Sequence, residues 1–251
     1  MLSWHFMDMP LGVRHIVKPD LSKYPYFSGP ISNFSLLPTQ GFCNDNYSFS
    51  MDGQKYLLRK FKVHDLNRKL EFKIQNLAYA QNLAAKAILL DEENGLMICE
   101  YLEGHHKNLL AQDDLHKLAN LLQQLHSIQI DSEALKLEDQ FHSHSEEIRE
   151  AFNIINDYQV ENVLCHNDLN PKNILFSEGI KLIDWEYAAL NDRYFDLSAV
   201  CVEFKLSSEE EQFFLQNYFN SDEMIYKEKL NAYKIIYSAL CKQWFEEHPV
   251  K

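Results

Sequence analysis

The sequence predicts an α+β protein with a small strand-rich N-terminal part and a larger, mainly helical C-terminal part. Three patterns predict it. Apolar and polar residues alternate between Tyr47 and Phe61, one helical stripe over 64–83 is followed by two more strand-like runs, and helical spacing persists from Arg193 onward. Only seven glycines and seven prolines in 251 residues suit a helix-rich chain.

Residues 1–30 carry four prolines (Pro10, Pro19, Pro25, Pro30) and no sustained period, so they read as an irregular extension. Strands follow from Phe34. Tyr47, Phe49 and Met51 alternate with Ser48 and Ser50, Asp52-Gly53 supplies a hairpin turn, and alternation resumes over 54–61, with Arg59 in phase with Leu57 and Phe61. Leu66, Leu70, Ile74 and Leu77 then stripe a helix with Glu71 at its edge, before strands over 86–90 and 96–102 joined by the turn at 91–95. After Gly104 the pattern changes. Leu115, Leu118, Leu122 and Leu125 mark one helix and 145–158 a second; short strands fall near 163–165, 174–176 and 180–183, and everything from Arg193 reads as helix. The organisation expected is therefore an extension at 1–30, an N-terminal lobe at 31–102 and a C-terminal lobe at 103–251.

Twenty-four basic residues against 37 acidic ones give a net charge of −13, which disfavours nucleic acid and anionic membrane as partners. Five scattered cysteines without a C-x-x-C pair read as reduced thiols, and no uncharged apolar run approaches the ~18 residues of a membrane span, so a cytoplasmic protein without membrane insertion is expected. His105-His106, His142 and His144 lack the companions of a zinc set. The seven glycines all stand alone, so neither the G-x-G-x-x-G fingerprint nor a phosphate-binding P-loop is present.

One segment concentrates chemistry. The polar octet His166-Asn167-Asp168-Leu169-Asn170-Pro171-Lys172-Asn173 lies between apolar strands, and the next strand delivers Asp184 after Leu182-Ile183. A carboxylate on a loop, an amide five residues later and a second carboxylate at a strand end are what phosphoryl transfer needs: a base for the attacking hydroxyl and oxygen ligands for magnesium. H-x-D, then Asn at the fifth position, then an apolar strand ending in Asp is the catalytic-loop and metal-Asp pattern of the protein-kinase-like fold.

Together with Leu182-Ile183-Asp184-Trp185-Glu186-Tyr187-Ala188 and Asn191-Asp192-Arg193-Tyr194-Phe195-Asp196-Leu197, the octet resembles the choline kinase, ethanolamine kinase and aminoglycoside phosphotransferase superfamily, closest to bacterial choline kinases. The resemblance implies a bilobal protein-kinase-like fold and use of ATP and Mg2+. It implies Asp168 as base and Asn173 and Asp184 as magnesium ligands. Arg59, paired with Glu71, would position ATP phosphates. Gln40 to Tyr47, including Gly41 and Asn44, resembles the phosphate-covering hairpin, and Glu100-Tyr101-Leu102 falls where backbone groups of Glu100 and Leu102 would hold adenine.

A small cationic alcohol, choline first, is the acceptor the resemblance implies; thiamine, ethanolamine and aminoglycosides are alternatives, and a non-catalytic binding module is the rival from another class. A quaternary ammonium is held by aromatic faces and carboxylates. Trp185, Glu186, Tyr187 and Tyr194 around the Asp184 loop are candidates, as are Glu203, where the family places a pocket acid, and Tyr237 and Trp244 on the last helix. Oligomeric state is not legible in the sequence.

Overall fold

The computed structural model describes residues 20–221 and 225–248. The chain divides into two compact units, 1–69 with 86–102, and 70–85 with 103–251. The helix expected to belong with the N-terminal strands is split by this division, because its residues from Leu70 on pack with the second unit.

The first unit is a five-stranded antiparallel sheet in the order β1-β2-β3-β5-β4, with β1 Ile31–Leu36, β2 Asn44–Met51, β3 Gln54–Phe61, β4 Ala87–Asp91 and β5 Leu96–Glu100. The β2–β3 hairpin closes on Asp52 and Gly53, both at positive φ (52° and 78°), the two-residue turn whose twist matches the strands. One sheet face buries Phe49, Met51, Tyr56, Leu58, Leu96 and Ile98, with Phe49 and Tyr56 stacked at 5.2 Å. Leu21 and Phe27 complete that core, so the described part of the N-terminal extension is irregular but anchored; its residues 1–19 lie outside the described residues. Arg59 is opposite Asn46 and Met97, on the other face, and is buried.

The second unit begins within helix α1 (Arg68–Ala80), shorter than the expected 64–83, and continues through α2 (Gln112–Ser127) and α3 (Glu146–Asn156). Ser145 caps α3 by accepting from the Ile148 N–H at 3.3 Å. The leucine stripe of α2 is fully buried in one large core shared with α4 (Arg193–Glu203), α5 (Ser208–Phe219) and α6 (Lys227–Glu247). Two two-stranded ribbons sit within it: β6 (Asn162–Cys165) with β9 (Ala189–Asp192), and β7 (Ile174–Phe176) with β8 (Ile180–Leu182). Strand β9 has no alternating pattern and was not expected.

Asp192 does three jobs at the β9–α4 junction. It caps α4 through the Tyr194 N–H (2.9 Å), accepts from the Glu161 N–H (3.1 Å), and pairs with the fully buried Lys229 ammonium at 2.7 Å. Where the chain leaves the first unit, His105 bridges to Phe176, and Gly104 is pressed so close that a Cβ would lie 2.6 Å from Leu175 Cγ and 2.8 Å from the Phe176 carbonyl.

Candidate active site

The loop 166–173 begins where β6 ends and stops where β7 starts, so both ends are fixed by ribbons. Its backbone is held from below by Asp196, which is fully buried in α4. Oδ2 accepts the His166 N–H at 2.8 Å and Oδ1 the Asn167 N–H at 2.9 Å; Oδ2 also lies 3.2 Å from His126 Nε2, whose other ring nitrogen meets the Tyr218 hydroxyl at 2.6 Å. Asn167 takes a left-handed conformation (φ 63°), which Asn tolerates better than most residues. Its amide donates to the Tyr187 carbonyl at 3.0 Å and accepts from Asn191 at 2.9 Å, tying this loop to the one after Asp184. Asp196 and Asn191 have no role that the motif alone shows; only the packing of α4 and β9 against the loop reveals it.

Asp168 is half-buried, and each carboxylate oxygen accepts from an amide: Oδ1 from Asn170 at 2.9 Å, Oδ2 from Asn173 at 2.6 Å. Burial pushes its carboxyl up to about 6, with the Glu186 charge adding to the shift and the two amide donors opposing it. His166 is buried, lowered in pKa by desolvation, and has Nε2 3.0 Å from the Ile183 carbonyl. That contact braces the loop against the residue before Asp184.

Asp184 lies two residues past the end of β8. The Ile183 N–H donates to the Asn173 carbonyl at 3.0 Å, so Asn173 and Asp184 are linked through adjacent backbone, and Asp184 itself has φ 65°. Carboxylate oxygens of Asp184, Glu186 and Glu71 all lie within 4.8 Å of one another. Three carboxylates this close repel unless a cation compensates them, and an all-oxygen donor set suits a hard ion such as magnesium. Asn173 adds to the fit: with Nδ2 turned to Asp168, its Oδ1 lies on the opposite side of the amide. Glu71 was expected only as the partner of Arg59, and its place in this trio was not foreseen.

The expected substrate residues separate into two groups. Trp185 is 1% exposed, donates to the Leu182 carbonyl at 3.2 Å and packs 4.8 Å from the His166 ring. Tyr194 is wholly buried; its hydroxyl accepts from the Tyr226 N–H at 2.9 Å and the Lys229 ammonium sits 4.8 Å from its ring centre. Neither offers a face to a ligand, which corrects the expectation for both: aromatic residues beside a catalytic motif were taken for pocket walls and are core. Tyr187, by contrast, is 37% exposed. Tyr237 and Glu203 are buried together, the phenol donating to Glu203 Oε1 at 2.9 Å. Burial raises the Tyr237 phenol and pushes the Cys241 thiol up to about 12, and the Asp168 charge contributes to both shifts, as it does for groups near the 166–173 loop. Trp244 lies two turns beyond Tyr237, half-buried and stacked on His248 at 4.4 Å.

In the first unit, Arg59 is 5% exposed on β3. Asn44 is buried and accepts from the Arg68 guanidinium at 3.3 Å, so its side chain is engaged within the unit. The loop before β2 is shaped instead by Gln40, which accepts from the Asn46 N–H (2.7 Å) and donates to the Asn46 carbonyl (3.1 Å), while the Gly41 carbonyl accepts from Lys62 at 2.7 Å. Glu100 ends β5, and Leu102 follows two residues later.

A sheet unit with a buried arginine on its third strand and a helical unit with this aspartate-and-asparagine loop define a protein of the kinase-like class. The chain belongs to the phosphotransferase enzyme family, whose family model matches residues 36–233. It is 27% identical over 217 residues to protein LicA of Haemophilus influenzae, a match that covers 74% of this chain and 63% of that protein. The chain thus spans a little under two thirds of that relative's length. Among solved structures it is similar to the choline kinase LicA from Streptococcus pneumoniae, with 26% identity, a TM-score of 0.70 and 88% of each chain covered. A LicA solved in complex with AMP is 27% identical with a TM-score of 0.70, covering 90% of this chain and 87% of that one. Among the described residues no helix is long and apolar enough to cross a membrane.

Proposed function

We propose that this protein is an ATP- and magnesium-dependent phosphotransferase acting on the hydroxyl of a small cationic metabolite, with choline as the preferred acceptor. The observation that carries the reading is the loop geometry: a half-buried Asp168, each oxygen held by an amide, with Asn173 bonded through its carbonyl to the Ile183 N–H next to Asp184. Asp168 orients the alcohol and takes its proton as the alcohol oxygen bonds to the γ-phosphorus and the bond to the ADP oxygen breaks. Asn173 and Asp184 are the magnesium ligands in this reading, with Glu186 and Glu71 adjoining. Bound there, the ion would neutralise phosphate charge. Arg59 is assigned to the ATP phosphates, the Gly41 loop to covering them, and the Glu100 and Leu102 backbone to adenine. The similarity to a LicA solved with AMP supports the nucleotide, and a cytoplasmic location with ATP at hand goes with it.

Choline is favoured because the similar LicA structure is that of a choline kinase and because Tyr187 keeps an exposed aromatic ring suited to a cation; Glu203, Tyr237 and Trp244 are assigned to the acceptor by the family resemblance. The test is ADP release with choline, ethanolamine, thiamine and aminoglycosides, each with wild type and Asp168→Asn. Choline-dependent turnover that Asp168→Asn abolishes is expected. Wild-type turnover no greater than that of Asp168→Asn with every alcohol would remove the kinase reading, and a clear preference for thiamine or an aminoglycoside would remove choline.

A further inference from the structure

An aspartate base works only if one of its oxygens is presented to the alcohol in a fixed direction. The terminal torsion of an Asp side chain is broad, so Asp168 needs more than its own rotamer to hold that direction. Its Oδ2 is held at 2.6 Å by Asn173, which alone would leave the carboxylate free to pivot about that contact. The second hold comes from Asn170 Nδ2, 2.9 Å from Oδ1.

Asn170 is itself fixed at three points. Its Oδ1 accepts the Lys172 N–H at 2.9 Å, its carbonyl accepts the Asn173 N–H at 3.0 Å, and the residue is only 8% exposed. With Oδ1 anchored in that turn, the planar amide aims Nδ2 at one place, and Asp168 Oδ1 occupies it. One amide therefore closes the loop turn with its oxygen and locks the base with its nitrogen. A carboxylate oxygen has two lone-pair sites, so each Asp168 oxygen keeps one for a further partner.

We infer that Asn170 is a positioning residue for phosphoryl transfer, setting through Asp168 Oδ1 the direction in which the base meets the acceptor hydroxyl. This rests on the reading of Asp168 as the base. Misplacing a catalytic group by about 1 Å costs on the order of a hundredfold in rate, so loss of this hold should appear in kcat.

The substitutions Asn170→Asp and Asn170→Ser separate the two jobs of the amide. Both keep an oxygen able to accept the Lys172 N–H, and both lack the donor to Asp168; the serine variant adds no charge. Asn170→Ser is expected to lower kcat by roughly 30-fold or more while KM for ATP stays within about threefold and the melting temperature within about 2 °C of wild type, whereas Asn170→Asp, which sets a second carboxylate against Asp168, should lower kcat at least as far and also melt lower. Wild-type kcat in Asn170→Ser would overturn the inference, since the residue would then serve only the turn. A raised KM with unchanged kcat would overturn it as well. Wild type and Asp168→Asn in the same assay keep the two claims apart: no difference between them refutes the kinase reading itself, whereas a clear difference alongside a fully active Asn170→Ser refutes only the role of Asn170.

Discussion

Replacing Asp196 by Asn tests whether the 166–173 loop is held from beneath. The side chain is isosteric and completely buried, so no cavity is created and only hydrogen-bond chemistry changes. In the cheaper amide orientation the oxygen stays toward the His166 N–H and His126, and the new NH2 faces the Asn167 N–H, which loses its acceptor. An orphaned buried donor costs about 1–3 kcal/mol, and loss of charge assistance in the two remaining bonds adds about 1 kcal/mol. The sum, about 2–4 kcal/mol, corresponds to a melting temperature lower by roughly 4–16 °C for a chain of this size. Because Asn167 immediately precedes Asp168, kcat should also fall by about a hundredfold. Calorimetry and ADP release measured together are the assay, with Asp157→Asn as an exposed control. An unchanged melting temperature would refute the hydrogen-bond argument; a lowered one with wild-type kcat would refute the claim that these bonds place the loop.

Three further outcomes follow from the geometry. Gly104→Ala should lower stability by about 1–3 kcal/mol, because its Cβ would meet Leu175 and the Phe176 carbonyl at 2.6 and 2.8 Å; Gly41→Ala, whose Cβ meets nothing nearer than 3.8 Å, should melt like wild type, so that a change in its KM for ATP reports ligand approach alone. Lys229→Met should cost about 3 kcal/mol, the low end for stripping a buried carboxylate of its cation, since Asp192 keeps two backbone N–H donors; a melting temperature equal to that of wild type would count against the ion-pair account. In metal-free protein the Asp168 carboxyl carbon, identified by its loss in Asp168→Asn, should titrate near pH 6 by NMR. The folded state then binds this proton more tightly than the unfolded chain, so the group's unfavourable contribution is present above about pH 6 and is relieved as pH falls toward 4; titration below pH 5 would contradict the burial argument.

Much of this was readable in the chain because it depends on near neighbours. The Asp52-Gly53 turn, the α2 leucine stripe and the helix expected over 145–158 are local chemistry, and each stands within a residue or two of where the pattern put it. So is the octet 166–173, whose contacts between Asp168, Asn170 and Asn173 span at most five residues. Strand β9 escaped because Ala189-Leu190-Asn191-Asp192 has no alternation and becomes a strand only by pairing with β6, some 27 residues earlier. Trp185 and Tyr194 were misjudged because composition cannot tell which aromatic rings the core will claim.

The sequence by itself determined the two-part α+β plan and the spacing of Asp168, Asn173 and Asp184, since short-range geometry dictates both. Tertiary structure alone decided that Asp196 carries the loop backbone, that Glu71 joins Asp184 and Glu186, that Glu203 is bound to Tyr237, and that Lys229 is buried against Asp192. Those pairings bring together residues from about 30 to more than 110 positions apart. Their energies come from burial and desolvation, which exist only once the helices have packed.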